Sequence, residues 1–156
     1  MKILVFSDSH RSIDPMLAAA RREKPDQILH LGDHESDALR LRELLPNTPI
    51  LYVPGNCDPG SEAPQTVMPV MDGVHLMLTH GHRYQVKFGL IRLGLAAAEA
   101  GVQAALFGHT HLPCTEMFEG VLLLNPGAVG GWGGTYGILE TAHGVITNYR
   151  IVRVEE

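Results

Sequence analysis

The sequence predicts an α/β protein in which two mixed β-sheets pack face to face and are flanked by helices. Short apolar runs of strand length recur along the chain, helical segments separate the first three runs, and turn residues separate most of the later ones. Roughly nine to eleven strands are expected, and a four-layer αββα sandwich accommodates that number.

The first third of the chain alternates strands with helices. Three apolar runs predict buried strands, at residues 2–7, 27–31 and 50–53. A helix is expected to begin with Asp14 as its N-cap and Pro15 as its first residue, and to end near Arg22. Ser36 is expected to cap a second helix, which ends near Leu45 because two prolines follow. This order is typical of a parallel α/β sheet.

The rest of the chain indicates hairpins and one further helix. Turn signals at Asp72-Gly73, Glu119-Gly120 and His143-Gly144 each lie between apolar stretches and predict hairpins. A helix is expected from about Phe88 to Ala100, and the run at 104–107 predicts another strand. The remaining strands are expected at residues 66–71, 74–80, 121–125, 135–140 and 145–152. Loops are expected at 57–65 and at the glycine-rich stretch 127–134.

The composition indicates a single soluble domain spanning residues 1–156. No apolar run reaches the roughly 18 residues of a membrane span, and the N-terminus lacks a signal-peptide pattern, so we expect a cytoplasmic protein with no membrane association. Two cysteines in 156 residues are too few for a disulfide framework. A formal net charge of -5 with no lysine or arginine run argues against a broad nucleic-acid-binding face, while leaving a nucleotide open as a ligand. Homo-oligomerisation also stays open.

Potential metal ligands directly follow five of the expected strands. They are Asp8, His10, Asp33, Asn56, Asp58, His80, His82, His109 and His111. Ligands of α/β sheets bind where the carboxyl ends of the strands meet, and such side chains suit zinc, manganese, iron or nickel. His109 and His111 would point to the same side if their segment were extended. Glycines precede three of the groups, at 32, 55 and 108, and would let the backbone pass close to a ligand.

The ordered motifs "DSH", "GD", "GNCD", "THGH" and "GHTH" resemble those of the calcineurin-like metallophosphoesterase family, and more closely those of its small bacterial and archaeal phosphodiesterases. The similarity runs from Lys2 to about Gly127 and implies the same four-layer fold with a two-metal site. The implied ligands are Asp8, His10 and His111 for the first metal, Asn56, His80 and His109 for the second, and Asp33 as the bridge. The implied cofactors are two divalent transition metals per chain, with manganese expected and nickel, iron or zinc as alternatives.

The resemblance also implies a reaction. A phosphodiesterase of this family would hydrolyse a small phosphodiester or nucleotide-like substrate by in-line attack of a hydroxide that bridges the metals. The candidate catalytic residues are Asp33, Asn56, Asp58 and His82. His82 could donate a hydrogen bond to phosphate, whereas Asp58 could orient a ligand or cap its own loop. Alternatives are a phosphomonoesterase or nucleotide pyrophosphatase on the same metals, and a non-catalytic scaffold, because a retromer subunit shares this fold.

Two positions depart from the family. Cys57 stands where many larger phosphatases carry a histidine that protonates the leaving group, so weak monoesterase activity is expected, and the Cys57 side chain is expected to pack. Ala128 and the glycine-rich stretch replace a serine and an arginine that relatives often carry near the groove. Trp132 in this stretch could stack on a base or aryl group, cover a dimer interface, or fold back on the core. No cap domain is expected, which predicts a shallow site with loose specificity.

Overall fold

Eleven strands, three α-helices and two short 3₁₀ helices, His82–Tyr84 and Val86–Phe88, form the part of the chain that the computed structural model describes, residues 1–154. The strands are β1 Lys2–Phe6, β2 Gln27–His30, β3 Ile50–Tyr52, β4 Thr66–Val67, β5 Val70–Met71, β6 Val74–Thr79, β7 Ala104–Leu106, β8 Cys114–Phe118, β9 Val121–Asn125, β10 Thr135–Ala142 and β11 Val145–Arg153. The helices are α1 Ile13–Glu23, α2 Glu35–Leu44 and α3 Ile91–Ala100. No helix within residues 1–154 is long and apolar enough to cross a membrane.

The strands form two mixed sheets. The first has the order β11-β10-β1-β2-β3, in which β1, β2 and β3 are parallel. The second has the order β4-β6-β7-β9-β8, with β5 also paired to β6, and its strands β6, β7 and β9 are parallel. The loops that carry the candidate ligands therefore follow the carboxyl ends of parallel strands in both sheets.

Three apolar layers hold the sheets and helices together. Alternation along β1 sends Ile3 and Val5 toward the second sheet, where they pack with Leu76 and Leu106. Leu4 and Phe6 point the other way, into a layer that includes Met16 of α1 and Leu41 of α2. The third layer joins the second sheet to α3 and includes Met77, Leu93, Ala105 and Leu123. Because both faces of β1 are covered, its sequence is a continuous apolar run. The predicted four-layer αββα sandwich is confirmed.

The predicted helix starts are wrong by a few residues. The helices begin at Ile13, Glu35 and Ile91. The sequence predicted Pro15 as the first residue of α1, Ser36 as the N-cap of α2 and about Phe88 as the start of α3. No N-cap side chain of these helices donates or accepts a capping hydrogen bond. The first N–H of α2 is instead bonded by Asp58, which lies in a different loop. A helix start that depends on a hydrogen bond from a distant segment cannot be predicted from the residues next to it in the sequence.

Candidate metal centre

The candidate site is built around the buried carboxylate of Asp8, which follows β1. Its Oδ1 atom lies 3.2 Å from Nε2 of His111 and 3.9 Å from Nε2 of His10 and of His80. Its Oδ2 atom accepts hydrogen bonds from the Ser7 hydroxyl and the His109 N–H, but within residues 1–154 Oδ1 has no hydrogen-bond partner. A buried carboxylate oxygen without a donor is costly. A bound cation would satisfy it.

One group of potential ligands faces solvent. It consists of Asp8, His10 and His111, whose ligand atoms all lie within 4.8 Å of one another. The His10 side chain is 38 % exposed and that of His111 is 51 % exposed. The His34 ring lies beside His10, with the ring centroids 5.2 Å apart. The first group could therefore hold a metal while leaving room for an outside ligand.

The second group is more deeply buried and shares Asp8 with the first. The ligand atoms of Asp8, Asp33 and His80 lie within 4.8 Å of one another. His80 Nε2 is 3.0 Å from Asn56 Oδ1, 3.2 Å from His109 Nδ1 and 3.4 Å from Asp33 Oδ2. All seven predicted metal ligands are therefore brought together. Nitrogen and oxygen donors that converge in this way suit a divalent transition metal.

The pKa shifts of residues in and around the second group favour protonation states that suit most metal ligands. Burial opposes ionisation of Asp33, but His80 and the Cys57 N–H outweigh it and hold the Asp33 pKa well below its usual range. Burial lowers the pKa of His80, but contacts with Asp33 and Asp8 outweigh this effect and raise it. Burial and the charge of His80 lower the pKa of His109 to about 4. A metal would therefore meet an ionised Asp33 and a neutral His109, and would compete with the proton that Asp33 and Asp8 favour on His80.

Two glycines let the backbone approach the carboxylates. A side chain on Gly108 would overlap the Ser7 hydroxyl and lie 2.8 Å from Asp8 Oδ2. A side chain on Gly55 would overlap Asp33 Oδ1. The predicted close passage of the backbone at these positions is confirmed, because only glycine leaves the carboxylates in place.

Five of the seven predicted ligands have a left-handed backbone conformation: Asp8 (φ 54°), His10 (43°), Asp33 (45°), His109 (72°) and His111 (64°). The assumption that His109 and His111 lie in an extended segment is therefore wrong. Left-handed turns, rather than strand alternation, bring both rings into the site. Buried Asn125 helps hold this segment, because its Nδ2 donates to the Gly108 carbonyl and to the Thr110 hydroxyl.

Asp58 contacts backbone N–H groups around the second group. Its Oδ2 accepts from Gly55 at 2.8 Å and from Asp33 at 3.3 Å, and its Oδ1 accepts from Glu35 at 3.0 Å. One carboxylate thus joins the loops after β2 and β3 to the start of α2. This arrangement suits a residue that positions Asp33.

His82 lies at the edge of the second group. Its ring centroid is 5.5 Å from that of His80 and 6.0 Å from that of His109. Its Nδ1 atom is buried and has no hydrogen-bond partner in the described part of the chain. Burial and the charge of His80 lower the His82 pKa, which favours a neutral ring.

The expected packing of the Cys57 side chain is wrong, because the thiol is exposed. The anchored part of this residue is its backbone N–H, which donates to Asp33 Oδ1 at 2.9 Å. Limited burial of the sulfur and the nearby Asp33 carboxylate raise the pKa of the Cys57 thiol. The thiol is therefore a poor nucleophile near neutral pH.

A buried network behind the site was missed by the sequence analysis. His30 Nδ1 accepts from the Gly32 N–H, so its Nε2–H donates to the Ser9 hydroxyl at 2.8 Å. Ser9 in turn donates to Asp37 Oδ2 at 2.6 Å, and Asp37 also accepts from the Arg11 N–H. The network ties the loop of Asp8 and His10 to α2. The position of Ser9 between the ligand candidates Asp8 and His10 was the sequence feature that could have predicted this network.

Proteins that are similar to this chain in sequence and in fold include phosphoesterases. Residues 1–144 match the model of the calcineurin-like phosphoesterase superfamily domain. The probable metallophosphoesterase YsnB of Bacillus subtilis is 30 % identical over 131 residues, which cover 83 % of this chain and 75 % of YsnB. A solved archaeal phosphodiesterase superposes with a TM-score of 0.78 at 25 % identity, covering 98 % of this chain and 99 % of that one. Zn²⁺-complexed Vps29 of Entamoeba histolytica superposes with a TM-score of 0.77 over 99 % of both chains, but at 20 % identity the likeness shows the fold alone.

Proposed function

We propose that this chain, which belongs to the calcineurin-like phosphoesterase superfamily, is a phosphodiesterase that uses two divalent metal ions. The observation that carries the proposal is the buried Asp8 Oδ1, which has no hydrogen-bond donor in the described residues and lies among three histidine Nε2 atoms. This donor set fits a cation and has no other evident purpose. Small phosphodiesters or nucleotide-like molecules are the proposed substrates.

The first proposed ligand set is the first group of side chains, so Asp8, His10 and His111 would hold one metal. The second set takes His80 from the second group and adds Asn56 and His109, whose ligand atoms lie beside His80 Nε2. Asp33 is proposed as the ligand common to both metals, whereas the carboxylate that the two groups share in the structure is Asp8. When bound, such a pair would polarise the phosphoryl oxygens and activate water for in-line attack on phosphorus. Manganese is the proposed metal because it accepts this mixture of oxygen and imidazole ligands, which nickel, iron and zinc also accept.

The other candidate residues would act around the substrate. The exposed sides of His10 and His111 leave room for a phosphoryl group to enter. His82 can donate a hydrogen bond to a phosphoryl oxygen through the N–H of its neutral ring. Asp58 is a positioning residue, because it bonds the backbone of Asp33. A covalent route through Cys57 is disfavoured because its thiol pKa is raised.

A diester substrate is favoured over a monoester by the residue at position 57. An alkoxide that leaves a phosphate monoester benefits from a proton donor, and this chain has Cys57 where larger phosphatases carry a histidine for that purpose. The likeness to an archaeal phosphodiesterase supports the same choice. The phosphomonoesterase and pyrophosphatase alternatives would use the same metals.

A scaffold function is the second candidate, because a fold by itself does not establish catalysis and the Vps29 likeness supports the fold alone. The retention of all seven ligand-type side chains favours the enzyme. The single-domain organisation of residues 1–156 and the cytoplasmic location remain predictions from the sequence.

The proposal is tested by elemental analysis together with hydrolysis of bis-p-nitrophenyl phosphate. We expect about two metals per chain, loss of turnover on chelation, and recovery with manganese. Asp33→Asn should lose metal and turnover, whereas Asp14→Asn, at an exposed position of α1, should retain both. Faster hydrolysis of p-nitrophenyl phosphate than of the diester would favour the monoesterase. A protein that takes up no metal and turns over no substrate would favour the scaffold.

A further inference from the structure

We propose that the cleft beside His111 binds the base of a nucleotide-containing phosphodiester and that Trp132 stacks on this base. This inference rests on the proposed function and names the class of substrate. The cleft has a volume of about 560 Å³ and is lined by His111, Pro113, Trp132, Thr135, Ile151 and Arg153, among others. Small-molecule sites commonly have volumes of roughly 300–1,000 Å³.

The cleft shares one residue with the candidate metal centre. His111 lines it and also places its Nε2 atom 3.2 Å from Asp8 Oδ1. A phosphoryl group bound beside the first metal group could therefore place one organic substituent in the cleft. Three other clefts in the described part of the chain, beside Phe88, Leu112 and Met117, have no metal-ligand candidate in their walls.

Trp132 is displayed by an anchored loop. Its side chain is 97 % exposed, so it does not fold back on the core. At the start of the loop, buried Val129 donates its N–H to the Ser7 carbonyl at 3.0 Å. At its end, Thr135 donates its N–H to the Ala128 carbonyl at 3.0 Å. The two anchors fix where the loop leaves and rejoins the sheet.

The same loop packs against the segment that carries the first metal group. A side chain on Gly130 would overlap the carbonyl oxygen of Ser9, which lies between Asp8 and His10. The position of the loop is thus tied to the position of the ligands. A large aromatic side chain left in water on such a support indicates a binding role more than a packing one.

The chemistry of the cleft suits a nucleobase. The indole of Trp132 offers a flat face for stacking, which is favourable for any base. The Arg153 guanidinium offers several N–H donors for the ring nitrogens and carbonyl oxygens of a base. Ile151 and Pro113 add apolar surface. The net charge of -5 disfavours a long nucleic-acid strand, so we infer a dinucleotide or another short diester of a nucleotide.

Binding of adenosine monophosphate and of ribose 5-phosphate to the manganese-loaded protein tests the proposal. The two ligands share the sugar and phosphate and differ by the base. The chain has one tryptophan, so quenching of its fluorescence reports contact at Trp132 alone. We expect adenosine monophosphate to quench the emission and to bind about tenfold more tightly than ribose 5-phosphate, as base stacking predicts.

Variants at Trp132 separate stacking from general apolar contact. Calorimetry should show that Trp132→Ala and Trp132→Leu lose the preference for adenosine monophosphate, whereas Trp132→Phe keeps most of it. All three should fold, because the side chain they replace is exposed. Equal affinity for the two ligands in the wild-type protein would overturn the proposal. A contact between subunits at Trp132 would also overturn the proposal. It would appear as tryptophan emission that depends on protein concentration, together with an oligomer that dissociates in Trp132→Ala.

The binding measurement is independent of turnover. Quenching by adenosine monophosphate without hydrolysis of any diester would support the nucleotide site and contradict the phosphodiesterase. Hydrolysis of bis-p-nitrophenyl phosphate with no base preference would support the phosphodiesterase and contradict the nucleotide site.

Discussion

The Nδ1 atom of His80 lies 2.7 Å from the carbonyl oxygen of Leu31. This contact joins the end of β6 in the second sheet to the end of β2 in the first. A carbonyl only accepts hydrogen bonds, so Nδ1 carries the proton and Nε2 points at Asn56 and Asp33. The backbone thus sets which nitrogen of His80 is presented to a metal. Such fixing of the ring is a regular feature of histidine ligands.

Replacing His80 should therefore abolish the second metal group. We expect His80→Ala to bind fewer metals and to lose at least about a hundredfold in turnover, since even residues behind the ligands commonly contribute 10–100-fold. Elemental analysis and diester hydrolysis measure the two effects. His75→Ala, at an exposed position on β6, the strand that precedes His80, is the control and should behave as wild type. Full metal content in His80→Ala would contradict the ligand assignment.

A methyl group at Gly108 should damage both stability and metal binding. In Gly108→Ala the new side chain would overlap the Ser7 hydroxyl and crowd Asp8, so both must shift. Overpacking of this kind costs about 1–3 kcal/mol in free energy of unfolding, which thermal unfolding would detect. Gly60→Ala is the matched control, because nothing lies within 4 Å of its added side chain. Equal melting temperatures for the two variants would show that the loop relaxes without strain.

Loss of the Ser9 hydroxyl should leave two buried groups without a partner. In Ser9→Ala, the Nε2–H of His30 loses its acceptor and Asp37 loses a donor. We expect a loss of about 1–3 kcal/mol in free energy of unfolding and roughly tenfold weaker manganese binding. Urea unfolding and metal titration measure these. Ser36→Ala removes an exposed hydroxyl from α2 and should change neither quantity. A Ser9→Ala protein as stable as Ser36→Ala would refute the structural role of the network.

His30 should make the metal-free protein less stable in mild acid. Burial lowers its pKa from 6.5 to about 4, so below pH 6.5 the unfolded state takes up a proton that the folded state does not. The free energy of unfolding should fall as the pH decreases from about 6.5 toward 4, by on the order of 3 kcal/mol from this group. Urea unfolding at several pH values would show it.

The control for this pH effect is a second histidine. His30→Gln should reduce the pH dependence between 6.5 and 4 and leave the part that His109 contributes, whereas His75→Gln, at an exposed position, should leave the full dependence unchanged. An unaltered slope in His30→Gln would mean that other groups cause the acid sensitivity.

Local patterns in the sequence predicted the layers of the fold and the residues of the candidate site. Continuous apolar runs such as that of β1 predicted strands covered on both faces, because periodicity reflects burial. Ligand-type residues at the ends of these strands predicted the site, because parallel strands place their carboxyl ends at one edge. The position of Gly108, directly before His109, likewise predicted that the backbone passes close to a ligand there.

Contacts between distant segments were decided only by the tertiary structure. The His109 N–H bonds Asp8 across 101 residues of sequence, and the left-handed conformation of His109 depends on such partners rather than on its neighbours in the chain. The start of α2 at Glu35 depends on Asp58, and the burial of His30 depends on Ser9. The sequence allowed Trp132 to stack on a ligand, cover an interface or pack in the core. Only its exposure in the structure excluded packing in the core. Periodicity records which side of an element is buried, whereas hydrogen-bond partners and loop conformations depend on what the fold brings near.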